Sequence, residues 1–256
     1  MEVELIPSLR FTNRVSDYVS GRPGYPDAVV RWLVETFGLE HGASIADVGA
    51  GTGISAALFL RHGFTVAAVE PNDAMREAAI AQLGHDPRFR AVAAPAEATT
   101  LPGASVDLVV AAQAFHWFDR AAFRAEASRI LKPQGVAALF WNVRRVDGSP
   151  FAAGYEALLR EFGTDYLSVR HENVTDGELA AFFGGEPERR VFDNVQVLDR
   201  AGLRARLLSS SYVSAAGHPR HEPMLAALEA LFAEHQHGGN VRMAYELRAY
   251  ASRLGS

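Results

Sequence analysis

Asp47, Glu70 and His116 stand where a strand is expected to end and a ligand can be met. Asp47 belongs to Ile45-Ala46-Asp47-Val48-Gly49-Ala50-Gly51-Thr52-Gly53, an apolar run that leads through an acid into three glycines at alternate positions. That order predicts a buried strand, a tight turn and a helix starting near Thr52 or Gly53. Glycine is needed where φ is positive or where backbone approaches a ligand closely. Glu70 ends the run Phe64-Thr65-Val66-Ala67-Ala68-Val69. An acid at the tip of a second strand, about 20 residues past such glycines, can accept hydrogen bonds from ribose hydroxyls. His116 lies within Gln113-Ala114-Phe115-His116-Trp117-Phe118-Asp119, an aromatic stretch that follows a long apolar run. Its side chain suits a general base at neutral pH. It suits a packed ring that shapes a pocket equally well, and both readings stand.

The elements that position these residues are legible in outline. Ser55 to Arg61 reads as a helix stopped by Gly63, and Asp73 to Leu83 as a helix opened by Pro71-Asn72. Phe89 to Ala93 is a short strand, and Ala104 to Ala112 is a near-continuous apolar one of the kind covered on both faces. Asp119 caps a helix to Leu131, and Lys132-Pro133-Gln134-Gly135 turns into a strand from Val136 to Trp141. A polar segment, Asn142 to Pro150, carries Arg144 and Arg145. Tyr155, Leu158, Leu159 and Phe162 share a helical face. Thr175 and Glu178 have capping-box spacing before a further helix. Strand-like alternation returns at Arg190 to Leu198, helices follow from Asp199 and from Pro223 to His235, and Val241 to Leu247 forms a last strand. The fold class is α/β: a doubly wound, mostly parallel seven-stranded sheet, Rossmann-like, with a helical insertion after strand five. The expected division is 1–40, an N-terminal lid and first helix; 41–142, the binding core; 143–187, a helical insertion and substrate cap; and 188–256, the C-terminal part of the sheet.

Composition narrows the function. A net charge of −5 over 256 residues disfavours a nucleic-acid binder. The absence of cysteine removes thiol nucleophiles, disulfides and cysteine-based zinc sites. His218, His221, His235 and His237 lack a metal-binding spacing such as His-Glu-x-x-His, so no metal is expected. Met1-Glu2-Val3-Glu4 lacks the basic start of a signal peptide, and no apolar run has the length of a membrane span, so the expected location is cytoplasmic, with no membrane partner.

The glycine turn with Asp47 two residues upstream resembles motif I of the class I S-adenosylmethionine (SAM)-dependent methyltransferases. Tyr18-Val19-Ser20-Gly21-Arg22-Pro23-Gly24-Tyr25-Pro26, Pro95-Ala96-Glu97, Phe115-His116-Trp117-Phe118-Asp119 and Lys132-Pro133-Gln134-Gly135 also resemble segments of that family. They are similar in order and content to its type 11-like members and to the trans-aconitate methyltransferase-like group. The resemblance implies SAM as cofactor and S-adenosylhomocysteine as product. It implies Arg22 at the methionine carboxylate, where a planar guanidinium can bind in bidentate fashion. Asp47, Gly49, Gly51 and Gly53 would form the cofactor turn and Glu70 the ribose anchor. Pro71 and Met75 would border the adenine, with Ala96 and Glu97 at its edge. Gln113 would border the methionine amine, and Trp117 the sulfonium, which suits an aromatic face. Tyr18, Tyr25, His116, Arg144 and Arg145 would face a small-molecule substrate, acidic or aromatic. Two other classes compete. A nicotinamide oxidoreductase would use the same fold, but Ile54 occupies the third glycine position of Gly-x-Gly-x-x-Gly, and a Tyr-x-x-x-Lys pair ending at Lys132 would need tyrosine where Ser128 stands. A non-catalytic SAM-binding protein would keep the cofactor pocket alone.

Overall fold

The structure, a computed structural model, describes residues 15–164, 166, 174–210 and 212–254. Parts of the expected lid (1–14) and of the expected insertion (165 and 167–173) lie outside the described residues. Helices α1 (Val15–Gly21) and α2 (Asp27–Phe37) precede strand β1 (Ser44–Val48), α3 (Ile54–Arg61), β2 (Thr65–Val69), α4 (Asp73–Leu83) and β3 (Phe89–Val92). Then come β4 (Val106–Ala112), a 3-10 turn at Phe115–Trp117, α5 (Arg120–Ile130) and β5 (Leu131–Arg144). The chain continues through α6 (Pro150–Phe162), α7 (Asp176–Phe183), β6 (Glu188–Leu198), α8 (Arg200–Leu208), α9 (His221–His235) and β7 (Val241–Arg253).

The strands form one seven-stranded sheet in the order β3-β2-β1-β4-β5-β7-β6. The five strands from β3 to β5 are parallel, and β7 runs antiparallel to both β5 and β6. The reversal of strand order beside β1 opens a crevice at the carboxyl ends of β1 and β4, where such sheets bind ligands. Alternate residues of the central strands feed two cores. Val48, Val109, Leu139 and Phe115 pack with Phe123 of α5 and Phe182 of α7 on one face. Ile45, Val66, Leu108 and Phe140 pack with Leu33 of α2 and Phe59 of α3 on the other. The two-sided burial accounts for the unbroken apolar runs of β1, β2 and β4. Side-chain caps start the helices where acids, amides and hydroxyls predicted them. Asn72 accepts from Met75 N, Asp119 from Ala121 N and Ala122 N, and Thr175 and Glu178 form a reciprocal capping box.

Two expectations are corrected. Strand β5 does not stop at Trp141, because Asn142, Val143 and Arg144 continue pairing with Leu247, Glu246 and Tyr245 of β7. The helical layer also draws on a different part of the chain from 143–187. Helix α6 shares a core with α8, α9 and β7 through Tyr155, Leu159, Leu207, Met224, Phe232 and Tyr245, whereas α7 joins α5 on the central sheet. The cause is where each apolar stripe finds a partner: α7 is short and aromatic, and its Phe182 fits against Phe115 and Phe123 while Phe183 packs edge-on against Phe182. Among the described residues no helix is long and apolar enough to cross a membrane.

Candidate cofactor and substrate site

The turn after β1 is built from positive-φ glycines: Gly49, Gly51 and Gly53 have φ of 69°, 56° and 86°. Gly49 N and Ala50 N donate to Val69 O, so the turn hangs from the end of β2 as well as β1. Glu70 then locks it. Its Oε2 accepts from Gly51 N at 2.9 Å and its Oε1 from Asn72 N at 2.8 Å. One carboxylate thus ties the first turn to the start of α4. Burial pushes the Glu70 carboxyl above its ordinary range, although the bonds from Asn72 and Gly51 and the nearby Arg76 pull it down.

A cavity of about 330 Å³ opens on this turn. Gly49, Gly51, Glu70, Pro71 and Met75 line one side, Ala96 and Glu97 a second, and Gln113, Trp117 and Tyr18 a third. Gln113 has φ of 59° at the end of β4, and its Nε2 donates to Asn142 O at 3.1 Å. Glu97 Oε1 accepts from Asp119 N at 2.9 Å, which fixes the aromatic turn against the loop after β3. Asn72, Pro95, Ala112, Ala114 and Phe118 also line the cavity, though sequence reasoning did not single them out. Phe118 was findable as the neighbour of Trp117; small residues such as Ala114 carry no signal.

Asp47 lies behind the turn and is fully buried. Its Oδ2 accepts from Ser55 Oγ at 2.6 Å, so it braces β1 against α3 rather than lining the cavity. Gly53 is likewise a packing position, with a Cβ there falling 2.7 Å from Leu83 Cδ1. Burial pushes the Asp47 carboxyl up to about 7, despite the Ser55 and Ala56 hydrogen bonds. A carboxyl whose pKa is raised by folding holds its proton more tightly when folded, so its contribution to stability falls as pH rises from the unfolded value towards about 7. Denaturant titrations of wild type and Asp47→Asn should show the stability difference shifting towards the variant between about pH 4 and pH 7, then levelling. A constant difference would contradict the buried, titrating state.

Arg22 is outside the cavity lining. Its Nη2 donates to Ser209 O at 2.9 Å and its guanidinium lies over the Tyr18 ring, 4.8 Å from the centroid. The turn that carries it is strapped down by side chains the sequence did not single out. Asn142 and Asn194 donate to Gly24 O, and Gln196 donates to Gly21 O. Tyr25 packs edge-on against Phe140. His116 is likewise outside the lining; its Nδ1 accepts from Trp141 Nε1 at 3.5 Å, and its ring lies against Trp117. Arg144 ends β5 and Arg145, whose N–H donates to Ala244 O of β7, follows it; the two side chains part company. The Arg144 side chain is 9% exposed and pairs with Glu156 at 2.6 Å. Arg145 is on the exposed face, paired with Asp193 and Glu246, and lines no part of the cavity.

Residues 46–139 match the family described as Methyltransferase domain. An uncharacterised methyltransferase of Mycobacterium bovis is 37% identical over 137 residues, which is 54% of this chain and 54% of the relative. An uncharacterised methyltransferase-like protein of Schizosaccharomyces pombe is 34% identical over 142 residues, 55% of this chain and 54% of the relative. The chain thus spans about half the length of the curated relatives it matches. A solved structure described as a type II methyltransferase from Anaeromyxobacter dehalogenans aligns with a TM-score of 0.68 and 27% identity, over 91% of this chain and 98% of that one. The matched segment contains the glycine turn, Glu70 and the aromatic stretch after β4, so the similarity to methyltransferases falls on the residues that build the cavity.

Proposed function

We propose that this protein moves the methyl group of SAM to a small-molecule acceptor, acidic or aromatic in character. The observation that carries the proposal is the cavity above the glycine turn, with Glu70 held at its wall by two backbone N–H groups. Its volume of about 330 Å³ falls in the range of ligand pockets, and its donors and acceptors fit the cofactor. Glu70 accepts from the ribose hydroxyls. Met75 and Pro71 pack on the adenine, with Ala96 and Glu97 at its edge. Gln113 borders the methionine end, and Trp117 presents an aromatic face to the cationic sulfur.

Bound SAM supplies a methyl group already activated by the positive charge on its sulfur. The chain's task is then to hold the acceptor in line and keep water out, which can lower a barrier by about 7–11 kcal/mol in favourable cases. Tyr18, on α1, and Tyr25, on the strapped turn, cover the acceptor side. His116 enters as the candidate base, reaching the acceptor through Nε2 because Nδ1 faces Trp141. His116→Ala should lower kcat by about 10²–10³-fold and remove an acid limb from the pH–rate profile if the ring takes a proton. A loss under tenfold with an unchanged profile would leave it a packing residue.

Calorimetry with S-adenosylhomocysteine and with NADH tests the whole reading. Micromolar affinity for the adenosyl ligand is expected. Binding of NADH alone would overturn the methyltransferase and restore the oxidoreductase.

A further inference from the structure

Arg206 of α8 is only 6% exposed, yet no carboxylate pairs with it among the described residues. Its Nε donates to Tyr245 Oη at 3.0 Å and its Nη1 to Ser210 Oγ at 3.1 Å, both neutral acceptors. A buried charge is normally paired, because desolvating it alone is costly. Two further guanidiniums face the same place. Tyr212 lies in the fields of Arg206, Arg22 and Arg144; burial pushes its phenol up, but those three charges and a bond with Ser210 bring it below its ordinary value. Tyr155, which is 1% exposed, sits under the Arg144 guanidinium at 5.0 Å and within the fields of Arg206 and Tyr212.

The donors here outnumber the acceptors. Arg22 Nε, Arg144 Nη1 and Tyr155 Oη are buried and have no hydrogen-bond partner among the described residues. The nearby acid, Glu156, is already engaged by Arg144, Arg160 and Tyr166. Buried donors left unsatisfied are costly, and three of them beside a guanidinium with no carboxylate partner suit an anion. The cluster adjoins the cofactor cavity: Arg22 stacks on Tyr18, and Tyr18 lines that cavity.

We infer that Arg22, Arg144, Arg206 and Tyr155 form a buried subsite for the oxyanion head, carboxylate or phosphoryl, of a small organic acceptor. Calling the ligand an acceptor rests on the methyltransferase reading above; the anion site itself does not. The guanidiniums supply charge and paired N–H donors, and the Tyr155 hydroxyl a further donor.

The test is calorimetry on the full chain with S-adenosylhomocysteine present, using benzoate, phenylphosphate and the neutral isostere benzamide as probes. Either anion should bind at least about tenfold more tightly than benzamide, and which of the two binds better tells carboxylate from phosphoryl. Arg206→Gln should abolish the preference. Since that change can also harm folding, Tyr155→Phe is the sharper variant. Its hydroxyl makes no hydrogen bond, so the variant should keep its melting temperature while anion affinity falls about 5–10-fold. Equal binding of all three probes, or anion affinity unmoved in Tyr155→Phe, would overturn the subsite. If S-adenosylhomocysteine binds and neither anion does, the subsite falls and the cofactor reading stands. If the Tyr155-sensitive anion binds and S-adenosylhomocysteine does not, the reverse holds.

Discussion

Glu70→Ala is expected to weaken S-adenosylhomocysteine binding by about 100-fold or more, with a fall in melting temperature measured alongside. Two causes add. The variant removes the acceptor proposed for the ribose, and it releases Gly51 N and Asn72 N, the two donors that hold the turn and the start of α4 in register. Bonds to a charged group contribute about 1.5–3 kcal/mol each, and every 1.4 kcal/mol is about a factor of ten in affinity. Glu70→Gln separates the causes. One amide oxygen can still accept, but the amide nitrogen is turned towards a backbone donor, so affinity should fall to an intermediate level. The pH dependence gives a third readout. Because burial raises the Glu70 pKa, the acceptor form is lost at less acidic pH than for a free carboxyl, and wild-type affinity should fall on acidification through that range. Glu70→Gln should lack this limb. Wild-type affinity in Glu70→Ala would mean that the carboxylate does not meet the ligand.

The sequence showed this part of the site because its chemistry is local. A strand end, a glycine turn and an acid at the next strand end are contiguous, and β1 pairs with β2 in direct register, Val48 opposite Val69, which brings Glu70 to the glycines. The helix caps were legible for the same reason, each being settled within four residues. What the sequence hid depends on long-range contact. Arg206 sits in Arg200-Ala201-Gly202-Leu203-Arg204-Ala205-Arg206-Leu207, where nothing marks it off from Arg204, which is exposed. It is buried because α1 lies on α8, with Gly21 so close that a Cβ would fall 2.5 Å from Ala205 C. The inward turn of Arg144 and outward turn of Arg145 needed the extension of β5 along β7, which polar Asn142 concealed. Arg22 is expected by resemblance at the methionine carboxylate; its contacts with Tyr18 and Ser209, the second across 187 residues, are of the kind that sequence does not show.

The three motif glycines should respond differently to alanine, and the largest loss of stability is expected at Gly49. A Cβ there would lie 2.5 Å from Ala114 Cβ and 2.9 Å from Phe118 Cζ. Ala114 Cβ is fixed to backbone and cannot rotate away, so the turn or the segment after β4 must shift. Overpacking of this kind costs about 1–3 kcal/mol, and the φ of 69° adds about 1–2 kcal/mol for a residue with a Cβ. At about 2–4 °C per kcal/mol for a chain of this size, Gly49→Ala should lower the melting temperature by roughly 5–15 °C. It should also cost cofactor affinity, since Ala114 and Phe118 both line the cavity. Gly51→Ala is the control. Its φ of 56° carries the same backbone penalty, but no described residue lies within 4 Å of the added methyl. The loss of stability should therefore stay near 1–2 kcal/mol. The methyl would stand in open space beside the cavity that Gly51 lines, so S-adenosylhomocysteine affinity should drop by about tenfold or more. The discriminating result is the ratio: Gly49→Ala loses mostly stability, Gly51→Ala mostly affinity. Equal melting temperatures in the two variants would mean that the close approach of the glycine turn to Ala114 does not hold the site together.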